Sequence, residues 1–310
     1  MENFFEKHKR AIYIFIAFLF VLNIFAWQEV FYLSQNHNLK VSFLDVGQGD
    51  SAFIETPERH QILIDGGPSS AVVGKIAGRM PFWDRTLDLV ILTHPEKDHM
   101  QGLLEVLKRY KVDNILWTGV YKNAPEYKEW INVLAKQKSL GAKIIIAKAG
   151  QEIKAGKVLI DILHPLESLS GKDPGKAMND TCVVNKLIYG KNSFLFTGDI
   201  SSAGEQVLTD SQNNNQSAYS HEYATLKFYD LKSDVLKVAH HGSKYSSSDL
   251  FLQNVLPSIA VISVGAKNTY GHPTPEAMQR ITNVGAKILR TDQLGDIVIS
   301  SDGQSISLLR

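Results

Sequence analysis

Histidines and carboxylates crowd one short stretch of the chain. His94, Glu96, Asp98 and His99 fall within six consecutive positions, directly after the apolar run 87–93. Imidazole nitrogens and carboxylate oxygens are ligands of divalent transition metals, and a loop that leaves a rigid strand can bend to bring them together. A solvated turn is the alternative, because a proline and a lysine are interspersed. The density of ligand types favours a metal site.

Three more apolar, strand-like runs end in residues of the same types. These residues are Asp65, Asp199 and the adjacent pair His240 and His241. Open sheets gather their ligands where strands end, so we expect these side chains to meet. If the segment 240–241 is extended, its two side chains point in opposite directions and only one can easily reach the site. We predict that this one is His240.

The elements that must position these residues alternate between strand and helix. The runs 39–46, 51–56 and 62–65 are separated by turn residues, which predicts antiparallel strands. The run 87–93 is continuously apolar, as in a strand covered on both faces, and 99–110 has helical spacing. Similar strand and helix patterns follow along the chain. The sequence therefore predicts an α/β protein in which helices cover sheets.

Composition excludes several classes of protein. The 310 residues are 44% hydrophobic and 21% charged, which are globular values. The net charge of +1 provides no bulk positive field for sequence-independent nucleic-acid binding, so any polyanion must be held locally. Cys182 is the single cysteine, which excludes an intramolecular disulfide and a CxxC-type zinc site.

An apolar segment near the N-terminus predicts a membrane anchor. Residues 11–27 contain only one frankly polar side chain, that of Asn23, and as a helix they would span about 26 Å. A cleaved signal peptide and a buried core helix are the alternatives. The run is long for a signal peptide, and 23–26 is a poor cleavage site, so we predict an uncleaved anchor over residues 1–35.

The charges that flank this segment predict its orientation. Lys7, Lys9 and Arg10 precede it and Glu29 follows it, so the positive-inside rule leaves the N-terminus in the cytoplasm. The prediction is a single-pass cell-membrane protein whose second domain, residues 36–310, is extracytoplasmic.

Six motifs together resemble a known family. In chain order they are DVGQGDS, ILIDGG, THPEKDHMQG, TGDI, KVAHHGS and GHPTPE. This order resembles the metallo-β-lactamase fold and, within it, the ComEC family of competence proteins, over about residues 38–310. The resemblance implies an αββα sandwich with a metal site at one edge of its two packed sheets. It also implies hydrolytic activity, of the phosphodiesterase or nuclease type, in DNA uptake.

The resemblance assigns metal ligands position by position. The matched ligands are His94, Asp98, His99, Asp199 and His240. Glu96 stands where a second histidine is usual, and Asn179 best matches another missing nitrogen ligand. One pocket thus keeps Asp98, His99, Asp199 and His240, whereas its neighbour has His94, Asp199 and two weaker groups. The implied cofactor is one or two divalent ions, Mn²⁺ or Zn²⁺, and the oxygen ligands favour Mn²⁺ in the weaker pocket.

Five residues receive supporting or catalytic roles. Asp98 could orient the attacking water, and Asp65 is expected to fix a ligand histidine more than to bind metal itself. Ser243 could contact a substrate phosphate and His272 could protonate a leaving oxygen, each weighed evenly against a plain turn. His241 is expected in the core or as a support for a ligand.

Three classes of function follow. The leading one is a membrane-anchored, metal-dependent hydrolase of phosphodiesters with DNA as its substrate. Whether a separate DNA-channel protein is its partner stays open. The second is a metallohydrolase of another substrate, such as a lactam, thioester or cyclic nucleotide, which the near-zero net charge mildly favours. The third is a catalytically degenerate domain that only binds. The sequence leaves the oligomeric state open.

Overall fold

The computed structural model of the chain describes residues 2–34, 37–213 and 230–309. The chain separates into two compact units, Met1–His37 and Asn38–Arg310. The first unit contains a single helix, and the second contains both sheets and all the predicted metal ligands.

The first unit is the helix α1 (Glu2–Ser34). Its segment His8–Gln28 has 21 residues and a mean hydropathy of 2.1, so its length and composition suffice to cross a membrane. At about 1.5 Å per residue such a segment matches the hydrocarbon thickness of a bilayer, about 30 Å. The predicted apolar run 11–27 lies within it.

The described residues of the second unit form fifteen strands and seven helices. The strands are β1 (Leu39–Phe43), β2 (Ala52–Glu55), β3 (Gln61–Ile64), β4 (Thr86–Leu92), β5 (Lys111–Trp117), β6 (Lys143–Ile146), β7 (Glu152–Ala155), β8 (Val158–His164), β9 (Val184–Tyr189), β10 (Asn192–Phe196), β11 (Val235–Lys237), β12 (Ile259–Ile262), β13 (Lys287–Arg290), β14 (Ile297–Ser301) and β15 (Ile306–Leu309). The helices are α2 (Ala71–Ala77), α3 (Lys97–Leu107), α4 (Pro125–Ser139), α5 (Ser202–Asn213), α6 (Asp249–Val255), α7 (Pro275–Asn283) and α8 (Thr291–Leu294).

The strands form two sheets. One has the order β15-β14-β1-β2-β3-β4-β5-β6 and the other β13-β12-β11-β10-β9-β8-β7. The predicted antiparallel arrangement of β1, β2 and β3 is confirmed, and β3 to β6 are parallel to one another. In the second sheet β10 to β13 are parallel.

The apolar core lies in three layers. Because side chains alternate along a strand, Ile91 of β4 packs between the two sheets while its neighbour Val90 packs under the outer helices. Helices α3 and α4 cover that outer face with Leu103 and Trp130, and α6 covers the other sheet with Phe251. Burial of one such side chain stabilises the fold by about 1.5–3 kcal/mol. The predicted αββα sandwich is confirmed.

Candidate metal centre

The first ligands follow β4, at its junction with α3. Helix α3 turns the apolar side chains of Met100, Leu103 and Leu107 into the core, spaced three and four residues apart. This spacing fixes the rotation of the helix and places Asp98 and His99 in its first turn. Gly102 lets the helix come close to the loop after β3, because an added Cβ would lie 1.9 Å from the carbonyl oxygen of Gly66.

The third residue of the candidate site, Asp199, follows β10. Gly198, with φ of 53°, turns the chain there, and a Cβ at this position would meet the Cys182 sulfur at 2.9 Å. The backbone N–H of Asp199 donates to the same sulfur at 3.1 Å. This turn directs the buried Asp199 carboxylate toward α3, where its Oδ2 lies 3.3 Å from His99 Nε2.

The fourth residue of the candidate site is His241, not the predicted His240. Strand β11 ends at Lys237, and residues 239–242 form a short 3₁₀ turn in which His240 and His241 have φ of 48° and 55°. The segment is therefore not extended, and the alternation that favoured His240 does not apply. His241 is buried and lies in the cluster, whereas His240 is partly exposed and its Nε2 lies 3.9 Å from Asp199 Oδ2.

Four side chains together form a candidate metal site. Asp98, His99, Asp199 and His241 each offer one ligand atom, and these atoms all lie within 4.8 Å of one another. His241 Nε2 is 3.3 Å from Asp98 Oδ2 and 3.5 Å from Asp199 Oδ2. The side chain of Asp98 is 35% exposed and the other three are at most 5% exposed, so solvent reaches the cluster past Asp98.

Buried acceptors hold both cluster imidazoles in one orientation. Nδ1 of His99 lies 2.8 Å from Asp65 Oδ2, and Nδ1 of His241 lies 2.8 Å from the carbonyl oxygen of Ser263. A carbonyl or carboxylate only accepts, so each Nδ1 donates its proton and each Nε2 faces the cluster. Asp65 also accepts from the backbone N–H and hydroxyl of Thr93, at 2.8 and 2.7 Å. Asp65 thus contacts His99 through Nδ1, the ring nitrogen that does not face the cluster.

Two charged residues of the site were missed in the sequence. Lys237 is buried at the end of β11, where its ammonium contacts Asp50 and lies 3.7 Å from Asp199 Oδ1. Asp50 Oδ1 also lies 3.3 Å from His241 Nδ1. The motif GQGD was visible, but a tight turn explained it equally well. Lys237, the partner of Asp50, could have been found as a lysine within an otherwise apolar strand run.

The electrostatics of the cluster favour a cation. Burial lowers the pKa of His241, but the carboxylates of Asp199 and Asp50 outweigh it and raise this pKa to about 10. Burial also lowers the pKa of His99, but the carboxylates of Asp199 and Asp65 outweigh it and hold this pKa well above its usual value. Burial raises the pKa of Asp98, yet the neighbouring imidazoles hold it well below its usual range. A negative field that retains protons also attracts a metal cation.

Unpartnered buried atoms support a metal more directly. Within the described chain, His99 Nε2, His94 Nε2 and Asp199 Oδ1 are buried and have no hydrogen-bond partner. Buried polar atoms are normally paired, and a place for a bound ion is one accepted explanation for an exception. Two imidazole nitrogens and two carboxylates also form a donor set suited to a divalent ion. The residues present therefore fit the metal that the resemblance implied.

The neighbouring, weaker pocket is not assembled in the same way. His94 is buried, with its ring centroid 4.2 Å from that of His99, but it is outside the four-residue cluster. Glu96 directs its carboxylate to Lys122, at 2.8 Å, and Asn179 Nδ2 lies 3.4 Å from His240 Nδ1. The positively charged side chain of Lys122 thus lies beside the Glu96 carboxylate, which was expected to help bind a second metal.

The remaining predicted site residues lie on two loops beside the cluster. Ser243 is only 2% exposed, and its hydroxyl accepts from the Tyr245 N–H at 3.3 Å, a contact within its own turn. The His272 ring lies 5.5 Å from His240 and 6.5 Å from His241, between centroids. Its Nδ1 is buried and finds no hydrogen-bond partner in the described part of the chain.

Sequence comparison places the chain among known proteins. Residues 44–266 match the model of the metallo-beta-lactamase superfamily. The chain is 30% identical over 275 residues to ComE operon protein 3 of Bacillus subtilis, a match that covers 83% of this chain and 32% of that protein. It is 31% identical over 255 residues to competence protein ComA of Neisseria gonorrhoeae, covering 82% and 31%. The chain therefore spans about a third of the length of these relatives.

Structural comparison supports the same fold. The metallo-beta-lactamase fold protein YhfI from Bacillus subtilis superimposes with a TM-score of 0.53 at 15% identity, covering 86% of this chain and all of that one. Together with the sequence matches, this confirms the resemblance to metallo-β-lactamase-fold domains of competence proteins.

Proposed function

We propose that this chain, which belongs to the metallo-β-lactamase superfamily of metal-dependent hydrolases, is a membrane-anchored phosphodiesterase. Its proposed substrate is DNA outside the cytoplasmic membrane. The observation that carries the proposal is the cluster of Asp98, His99, Asp199 and His241, with ligand atoms within 4.8 Å of one another. These residues would hold one divalent ion, Mn²⁺ or Zn²⁺. When bound, such an ion activates water and neutralises charge that develops on the substrate.

The protein's own residues would orient the reaction. Asp98 is the exposed member of the cluster, so its carboxylate is placed to orient a water that arrives from solvent. The buried Asp199 and His241 would help to hold the ion. Lys237 balances the charge of Asp50 and Asp199, which keeps these two carboxylates close together before an ion binds.

His272 is proposed to donate a proton to the leaving oxygen. Its ring is partly exposed and lies 5.5 Å from His240 and 6.5 Å from His241, between centroids. Burial lowers its pKa, and the neighbouring imidazoles lower it further. A lower pKa makes the imidazolium a stronger acid, although a smaller fraction is protonated at neutral pH.

Support for a DNA substrate comes from the relatives. They are ComE operon protein 3, competence protein ComA and recombination protein 2 of Haemophilus influenzae, the last 28% identical over 266 residues. The chain spans about a third of the length of the first two relatives, and a separate DNA-channel protein is proposed as a partner. The apolar segment of α1 supports a location at the membrane.

The test uses the full chain in detergent with Mn²⁺ or Zn²⁺. Labelled DNA and bis-p-nitrophenyl phosphate are the substrates, and bound metal is counted by elemental analysis. We expect one ion per chain and cleavage of both phosphodiesters. Asp98→Ala should abolish turnover, whereas Asp113→Ala, which removes an exposed carboxylate on β5, should not change it.

Other outcomes would identify the alternatives. Cleavage of neither phosphodiester with metal demonstrably bound would contradict the proposal. Hydrolysis of a lactam, thioester or cyclic nucleotide instead would identify a different metallohydrolase. Binding of DNA without any turnover would indicate a degenerate domain.

A further inference from the structure

Two exposed tyrosines stand beside the metal cluster. Tyr245 and Tyr270 are 67% and 71% exposed, on the loops that follow His241 and precede His272. Hydrogen bonds hold the backbone of the first loop. Arg280 donates to the carbonyl oxygens of three of its residues at 2.8 to 3.0 Å. The Tyr245 ring is therefore presented to solvent from a backbone that Arg280 holds in place.

Tyr270 begins a line of rings that leads into the cluster. Its ring stacks on His272, with centroids 6.0 Å apart and planes at 25°. The His272 centroid is 5.5 Å from that of His240, which is 6.1 Å from that of His241. Along this line the residues change from exposed to buried. A flat group resting on Tyr270 would thus lie a few ring spacings from the candidate metal site.

Positive charge accompanies the exposed rings. The Lys244 ammonium lies 5.2 Å from the centroid of the Tyr245 ring, and both side chains are exposed. Lys267, also exposed, is in the same loop as Tyr270. Since the chain carries only +1 overall, this charge is a local feature. Aromatic faces with neighbouring cations are the combination that binds single-stranded nucleic acid.

We propose that Tyr270 and Tyr245 form a stacking surface for unpaired bases, so that the phosphodiesterase acts on single-stranded DNA. The inference rests on the proposed function and adds to it the strand state of the substrate. In a duplex the base faces already stack on one another, so a tyrosine ring can cover a base only when it is unpaired. Tyr270 takes a base beside the scissile phosphodiester, and Lys244 lies near the backbone.

The test compares three labelled oligomers: a single strand, the duplex of the same sequence and a single strand with abasic sites in place of bases. With the full chain and Mn²⁺, the wild type should cleave the single strand best. Tyr270→Ala should raise the KM for the single strand about tenfold. It should leave the KM for the abasic oligomer unchanged, because only a base contributes stacking energy. Tyr270→Phe keeps the ring and should stay within about twofold of the wild type.

The matched control is Trp83→Ala. Trp83 is 64% exposed in the loop before β4, whereas the cluster follows the other end of that strand. Its loss should leave every KM unchanged. Equilibrium binding of the same oligomers, measured by fluorescence anisotropy in EDTA, provides a second readout without cleavage.

Failures of the two proposals are distinguishable. Cleavage of phosphodiesters with no effect of Tyr270→Ala, or with an equal effect on the abasic oligomer, would overturn the stacking surface and leave the phosphodiesterase intact. Preference for the duplex would overturn it as well. Absence of all cleavage would contradict the phosphodiesterase, and base-dependent binding in EDTA would still support the surface. If the two tyrosines contact lipid instead, Tyr270→Ala would change neither the KM nor the binding of the oligomers. That result would also overturn the stacking surface.

Discussion

His99 and His241 show how single side chains are prepared to bind a cation. Each donates from Nδ1 to a buried oxygen, of Asp65 and of Ser263, and each leaves Nε2 toward the cluster. Supporting hydrogen bonds of this kind fix the tautomer and the ring orientation of ligand histidines, and their loss typically weakens metal binding. The free energy of orienting the rings is therefore supplied by folding, before any ion arrives.

Replacement of each adjacent histidine should separate their roles. His241→Ala should weaken Mn²⁺ or Zn²⁺ binding by more than about tenfold, because it removes one of four clustered ligands. His240→Ala should have a much smaller effect, since Nε2 of His240 lies 3.9 Å from Asp199 and outside the cluster. Competition with a metal-binding dye measures both affinities, and circular dichroism checks folding. Equal losses in the two variants would contradict this assignment.

Replacement of His272 should depend on the leaving group. A proton donor matters most when the leaving oxygen is strongly basic, as in the sugar alkoxide of DNA. We expect His272→Ala to lower kcat for DNA by about 10²-fold and to change hydrolysis of bis-p-nitrophenyl phosphate little. The ratio of the two rates is the measurement. An equal loss on both substrates would indicate that His272 supports the structure of the loop instead.

At the scale of elements, one buried carboxylate joins α5 to the start of α6. Glu205 of α5 is fully buried and accepts from the backbone N–H groups of Ser247 and Ser248. Ser248 in turn caps α6 by accepting from the Phe251 N–H. Glu205 thereby holds the end of the loop that carries Tyr245. Burial raises its pKa to about 7, although these hydrogen bonds and Arg280 oppose the rise.

This carboxyl group should make stability depend on pH. The folded protein keeps a proton on Glu205 up to about pH 7, whereas the unfolded chain releases it near pH 4.5. Stability from this group is therefore complete below pH 4.5 and is lost as the pH rises through 7. The loss amounts to about 3 kcal/mol.

The comparison with Glu205→Gln isolates this effect. The variant cannot lose a proton, so its unfolding free energy should fall less than that of the wild type between pH 4.5 and 7. Denaturant unfolding followed by tryptophan fluorescence measures both proteins. Glu276→Gln, on the exposed face of α7, is the control and should follow the wild type. Parallel curves for all three proteins would show that Glu205 is ionised in the folded state.

At the scale of the whole molecule, the chain combines an apolar helix with a hydrolase-type domain of nearly neutral charge. The segment His8–Gln28 suits a bilayer, and the basic residues that precede it favour a cytoplasmic N-terminus. The proposed orientation would place the candidate metal site outside the cytoplasmic membrane.

Cysteine labelling of intact cells should report this orientation. The single natural cysteine, Cys182, is buried and provides little background. Ser139→Cys, at the exposed end of α4, should react with a membrane-impermeant maleimide, and Asn3→Cys should react only after the cells are opened. The reverse pattern would place the domain in the cytoplasm.

Much of the architecture was readable because it depends on local patterns. The apolar run 87–93 predicted the buried strand β4, and the leucine spacing after it predicted α3. Asp98, His99 and Asp199 were also identifiable, since strand ends collect ligands in sheets of this kind. Hydrophobic periodicity and residue type are properties of short segments, so the sequence by itself determined an α/β fold with helices covering sheets and most of the residues of the cluster. The arrangement of two packed sheets was implied only by the resemblance of the six motifs to a known family.

The tertiary structure decided which atoms meet. His240 and His241 are neighbours with the same chemistry, and only the turn after β11 directs one of them into the cluster. The pairing of Asp50 with Lys237 and of Glu96 with Lys122 joins residues distant along the chain. No local pattern encodes such contacts, because they arise when the two sheets pack and bring together loops that are far apart in sequence.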